Sequence, residues 1–105
     1  MPKIRKAARG KHRWIGLAFG KSDSEIESVR SEIMELLGYT YVKLYDFTID
    51  SGRKSCIIKV KLEKYPAVRE SFKNYEGSII SVTSSGKIRL VRLRLEEYFQ
   101  RQIDV

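Results

Sequence analysis

A single cysteine, Cys56, deprives the chain of an internal disulfide, and its place in an apolar run makes it a small core residue rather than a reactive thiol. The one histidine, His12, stands between Lys11 and Arg13. Neither a Cys/His set for zinc nor a Cys–His pair for nucleophilic catalysis can be assembled, and no metal or catalytic residues are expected. No apolar run approaches the roughly 20 residues that cross a bilayer, and the basic N-terminus lacks the apolar core of a secretion signal. The expectation is a soluble, cytoplasmic protein without a membrane partner. Acidic residues are also scarce, at 13 against 21 lysines and arginines, which leaves a formal charge of +8. Such an excess attracts polyanions and favours a nucleic-acid or anionic-membrane partner, between which composition alone does not choose. With 105 residues, no internal repeat and no low-complexity linker, one domain around one core is expected.

Residues 1–12 read as a flexible basic arm, with Lys3, Arg5, Lys6, Arg9 and Lys11 and no acidic residue. The arm is either a solubilising tail or a phosphate-contacting segment that orders on binding, and the overall charge favours the second. The domain proper, 13–105, opens at Arg13 on an alternating stretch. Ile15, Leu17 and Phe19 share one face, and Trp14, Gly16 and Ala18 share the other. This predicts a strand whose small face permits close approach of something. Ser22 or Ser24, followed by Glu25 or Glu27, predicts a capped helix with Ile26, Val29, Ile33, Leu36 and Leu37 buried and Gly38 as its stop. A second strand is predicted over 39–49, with Tyr41, Tyr45 and Phe47 alternating against Val42 and Leu44, then a turn at Asp50-Ser51-Gly52 and a third strand over 54–62. On that strand Cys56, Ile58, Val60 and Leu62 oppose Ile57, Lys59 and Lys61. Pro66 begins a second helix bearing Val68, Phe72 and Tyr75, Gly77 ends it, and Ser78 to Thr83 supplies Ile79, Ile80 and Val82 for a fourth strand.

The segment 84–99 holds the densest basic cluster. As a helix it is capped by Ser84 or Ser85 and places Ile88, Val91, Leu95 and Tyr98 on one face, with Lys87, Arg89, Arg92 and Arg94 beside it. As a strand its alternation is broken at Leu90-Val91, so the helix fits better. A helix N-terminus with three nearby cations offers both backbone donors and charge to phosphate, although such a face can equally be merely solvated. Arg53 and Lys54 at the hairpin tip are placed similarly.

The order strand, helix, strand, strand, helix, strand, helix predicts an α+β, ferredoxin-like fold of the kind shared with RNA-recognition domains. Four antiparallel strands carry two helices on one face, and a C-terminal helix is added. The other face would carry Trp14, Tyr41, Tyr45 and Ile57, more apolar surface than a monomer leaves bare, so either the last helix or a protein partner must cover it. Base stacking on the third strand is not expected there, because Arg53-Lys54-Ser55-Cys56-Ile57-Ile58-Lys59-Val60 lacks the aromatic residues of the RNA-recognition pattern. An acylphosphatase-like enzyme would need an arginine in the loop after the first strand and a positioned asparagine. The loop Gly20-Lys21-Ser22-Asp23-Ser24 has no arginine, and Asn74 lies on the second helix. A ligand-sensing homodimer of this fold, or a general phosphate-directed RNA-binding module, is the alternative.

Arg13-Trp14-Ile15, Gly52-Arg53, Ile57-Ile58-Lys59-Val60, Val68-Arg69 and Ser85-Gly86-Lys87-Ile88-Arg89 with Arg92, in that order in a small basic chain, resemble the ribonuclease P protein component 2 family, archaeal subunits whose eukaryotic relatives also serve the mitochondrial-RNA-processing ribonuclease. The resemblance implies a non-catalytic subunit supporting the ribonuclease P RNA as it removes the 5′ leader from precursor tRNA. It also implies a TIM-barrel-like protein partner, component 3, and magnesium held by the RNA, with no cofactor on the protein. The expected RNA contacts are Lys3, Arg5, Lys6, Arg9, Lys11, Arg13, Arg53, Lys54, Lys87, Arg89 and Arg92. The expected partner contacts are Trp14, Tyr41, Tyr45 and Ile57.

Overall fold

The alternation after Lys11 forms the central strand β1 (His12–Phe19). In the computed structural model, which describes residues 12–20, 25–50 and 53–104, β1 pairs antiparallel with β3 (Arg53–Lys61) on one side and β4 (Ile79–Ser85) on the other. Strand β2 (Tyr45–Asp50) lies outside β3, and the sheet order is β2-β3-β1-β4. Helix α1 (Ile26–Leu37) connects β1 to β2, and α2 (Tyr65–Asn74) connects β3 to β4 through a preceding turn of 3₁₀ helix. Helix α3 (Ile88–Asp104) closes the chain. This is the ferredoxin-like arrangement with an added C-terminal helix. The basic arm, Ser22, Ser24 and the turn residues Ser51 and Gly52 lie outside the described residues.

The large side chains of β1 do what their period requires. Ile15, Leu17 and Phe19 join Cys56, Ile58 and Val60 of β3 and bury against Val29 and Ile33 of α1 and Val68 and Phe72 of α2. Helix α1 ends where Gly38 adopts a left-handed conformation, φ 69°, which glycine accepts without a Cβ penalty. At its start Glu25 occupies the cap position without a side-chain bond, and the predicted capping serines, Ser22 and Ser24, lie outside the described residues.

Three boundaries depart from the sequence reading. The second strand begins at Tyr45, not at 39, because the 39–44 segment is engaged from the side: Arg30 Nε of α1 donates to the Val42 carbonyl at 3.0 Å. Within β2 a register shift between Tyr45 and Thr48 accompanies a left-handed Asp46, φ 52°. A bulge of this kind re-aims side chains. Tyr45 packs toward α3 and Phe47 toward α1 and α2, stacked on Phe19, so the predicted alternation of these two aromatics on one face does not hold. Finally, β4 runs through Ser85 and the last helix starts only at Ile88. The segment 84–99 is therefore strand end, turn and helix, with Ser85 Oγ accepting the Lys87 N–H at 3.1 Å.

The second sheet face is covered by α3, which packs Val91, Leu95 and Phe99 on Ala18 and Ile57. Phe99, rather than Tyr98, completes the buried stripe, while Tyr98 is half-buried at its margin. The small residues of β1 let the helix in: a Cβ on Gly16 would lie 2.9 Å from Val91 Cγ1 and 3.0 Å from Leu95 Cγ. The sequence left open whether a helix or a partner closes this face, and the chain closes it itself.

Candidate nucleic-acid interface

Cations predicted to meet phosphate divide into three sets. Lys3, Arg5, Lys6, Arg9 and Lys11 lie outside the described residues. Arg92 and Arg53 lie at the margins of α3 and are engaged within the fold. The Arg92 guanidinium donates to both Asp46 oxygens, at 2.6 and 3.3 Å, which raises its pKa further. Arg53 stands 3.7 Å from Glu96, with its guanidinium 5.6 Å from the Phe99 ring centroid. These pairs tie α3 to the hairpin and reduce the charge left for a polyanion. Arg94 serves the fold too, donating to Thr83 Oγ1 and the Ser84 carbonyl.

The third set is available. Lys87 and Arg89, at the start of α3, are exposed and form no ion pair among the described residues. Arg13 reaches the same corner, since a Cβ on Gly86 would lie 3.3 Å from its Nη1. This corner sets positive side chains at the start of a helix, where the helix dipole also favours an anion such as phosphate. Lys54, on β3, is half-buried beside Arg53.

The predicted partner residues also separate. Ile57 is only 1% exposed beneath α3 and presents no surface to another protein, which corrects its expected role; the physical reason is the close approach that Gly16 and Ala18 allow. Trp14 and Tyr45 are half-buried and meet edge to face, with centroids 5.1 Å apart. Tyr41 remains 63% exposed. Other exposed large apolar residues, Ile26, Ile49, Ile80 and Leu93, are distributed over four different elements.

A second cationic region was not assigned from the sequence. Lys59 lies over the Trp14 ring at 5.2 Å, Lys43 over Tyr45 at 5.0 Å, and Lys64 over Tyr39 at 5.9 Å. Cation–π placement of this kind orients an ammonium group without neutralising it. The signal was present in the outward set Ile57, Lys59 and Lys61 of β3; what hid it was the reading of 39–44 as strand.

Among the described residues no three His, Cys, Asp or Glu side chains gather as metal ligands, and no helix is long and apolar enough to cross a membrane. Cys56 is fully buried, and burial pushes its thiol up to about 12, far from the range of a nucleophilic thiolate.

Neither a protein-family model nor a curated protein matches the sequence. Among solved structures, the chain is similar to a chain in the cryo-EM structure of yeast ribonuclease MRP, at 15% identity and a TM-score of 0.49, covering 90% of this chain and 93% of that one. A likeness at this level assigns no residue a role.

Proposed function

We propose that this protein is a non-catalytic, RNA-binding subunit of ribonuclease P that acts beside component 3 to support the catalytic RNA in removing the 5′ leader of precursor tRNA. The observation that carries the reading is the set of exposed cations without carboxylate partners among the described residues, Lys87 and Arg89 at the start of α3 and Lys43, Lys59 and Lys61 near the sheet edge. The family resemblance of the Arg13-Trp14-Ile15 and Ser85-Gly86-Lys87-Ile88-Arg89 segments turns that general affinity for RNA into a specific assignment. Lysines and arginines at these places reduce repulsion among RNA phosphates. They favour the active RNA fold to the extent that they bind it more tightly than its alternatives. Magnesium is held by the RNA in this scheme, and the protein supplies no group to the phosphodiester hydrolysis. A ligand-sensing homodimer needs a bare apolar sheet face, and α3 occupies that face.

The test is precursor-tRNA cleavage by ribonuclease P RNA at limiting magnesium, with and without this protein and component 3. The pair is expected to lower the magnesium requirement or raise the rate. An indifferent RNA, together with no association with component 3, overturns the assignment and leaves a general phosphate-directed RNA-binding module.

A further inference from the structure

Beside the outer edge of β3, between its C-terminal half and the 39–44 segment, runs a groove of about 280 Å³. Its lining includes Tyr39, Tyr41, Lys43, Tyr45, Lys59 and Lys61 and, among the described residues, no acidic one. The volume falls just below that of small-molecule pockets, roughly 300–1,000 Å³. It suits one planar ring entering from a longer chain better than a whole cofactor. The charge around it calls for an anion, and the rings call for a π-face.

Tyr41 is the side chain best placed to offer that face. It is 63% exposed, yet it is not a free rotor: the Arg30 guanidinium lies 5.6 Å from its ring centroid, and Arg30 Nε holds the next residue by its carbonyl. Arg30 is itself fixed by a hydrogen bond to Glu27, which raises its pKa and keeps it charged. A ring backed by a fixed guanidinium presents its open side for stacking at little entropic cost. Lys43 and Lys59 are oriented by the Tyr45 and Trp14 rings, and Lys61 extends the row along β3.

We propose that this groove binds an unpaired stretch of RNA, stacking a base on Tyr41 and setting the flanking phosphates against Lys43, Lys59 and Lys61. The inference rests on the RNA-binding reading above and adds a strand state and a site to it. A duplex keeps its bases stacked on one another and leaves none for Tyr41, whereas loops, bulges and ends expose them. Stacking on an aromatic ring tolerates every base, so sequence preference at this site is weak.

The experiment measures fluorescence anisotropy of the full chain with two labelled probes, a single-stranded oligouridylate of about ten nucleotides, within the span of known single-strand sites, and a blunt-ended duplex of two RNA strands with no loop. Tyr41→Ala is expected to weaken the single strand by roughly 5- to 100-fold, the usual effect of removing one stacking ring, and to leave the duplex unchanged. Tyr41→Phe should retain wild-type affinity, because the face binds and the hydroxyl does not. Joint Lys59→Ala and Lys61→Ala substitution at exposed positions should flatten the salt dependence for the single strand by about 0.7 in log–log slope per lost phosphate contact. Unchanged single-strand affinity in Tyr41→Ala overturns the groove, as does equal loss on both probes. Weakened association with component 3 at unchanged RNA affinity also overturns it and gives the surface to protein. Single-strand binding that depends on Tyr41, in a protein that fails to stimulate ribonuclease P RNA, removes only the ribonuclease P assignment. Stimulation by a protein whose Tyr41→Ala variant binds like wild type removes only the groove.

Discussion

On the sheet face under α1 and α2, large side chains interlock: Ile15, Leu17 and Phe19 from β1, Cys56, Ile58 and Val60 from β3, and Val29, Ile33, Val68 and Phe72 from the helices. On the opposite face one helix does the covering, and five residues, Ala18, Ile57, Val91, Leu95 and Phe99, form the buried cluster. That second contact is flanked by polar ties at its margins, Arg92 with Asp46 and Arg53 with Glu96, both exposed and both open to screening by salt. The difference separates what makes the domain fold from what finishes it. The first face buries bulk from two strands and two helices; the second depends on the absence of bulk at Gly16.

The widest contrast between the faces is expected from truncating Leu17, which is fully buried on the two-helix side. Leu17→Ala leaves a cavity in that core and should cost about 2–5 kcal/mol, the range for buried Leu-to-Ala changes. Denaturant melts followed by circular dichroism measure it. Because Cys56 lies in the same core with no exposure, its labelling by a thiol reagent should accelerate in parallel. A loss well under 1 kcal/mol would mean that the two-helix face is not the principal core.

Adding bulk on the other face gives the next largest effect. Gly16→Ala places a methyl group within 2.9 Å of Val91, a stiff β-branched residue that cannot swing aside, and overpacking of this kind costs about 1–3 kcal/mol. The distinguishing outcome is spatial. Strained α3 should expose its apolar stripe and bind a hydrophobic dye more readily, while Cys56 stays protected because α1 and α2 still cover it. Simultaneous loss of Cys56 protection would show that the two faces unfold as one unit, and the comparison would collapse.

The sequence made the first face legible and the second only in outline, for a physical reason. Period-two alternation in β1 and the apolar stripe of α1 are local, so the residues that pack there can be read from spacing. The small face of β1 likewise announced that something approaches closely. What approaches it, and how it is held, depends on pairings made only in the folded chain. Arg92 and Asp46 are 46 positions apart, and their contact requires the bulge that turns Asp46 out of the strand pattern. Arg92 and Arg53 therefore read as free phosphate contacts in the sequence, whereas the structure gives each a carboxylate. Lys59 and Lys61 were visible as outward residues of β3, but the Tyr39–Lys43 wall that makes them a groove was hidden by its resemblance to a strand.

Alkaline pH sharpens the comparison with an effect that is absent at neutral pH, since Cys56 is the buried thiol of the two-helix face. Burial raises its pKa from 9.0 to about 12, so between those values the unfolded chain has released a proton that the folded one retains. With fewer protons bound in the unfolded state, stability falls as pH rises through this window, by at most about 1.4 kcal/mol per pH unit from this group, and is fully present below pH 9. Tyr39, whose pKa burial also raises, adds to the loss in the same direction. Cys56→Ala separates the two, because it removes the thiol while leaving Tyr39 in place. Its melts should start lower at neutral pH, for the lost packing, and then decline less steeply than wild type above pH 9. Parallel declines would mean that the thiol is solvated in the native state. The two-helix face would then admit water at its centre.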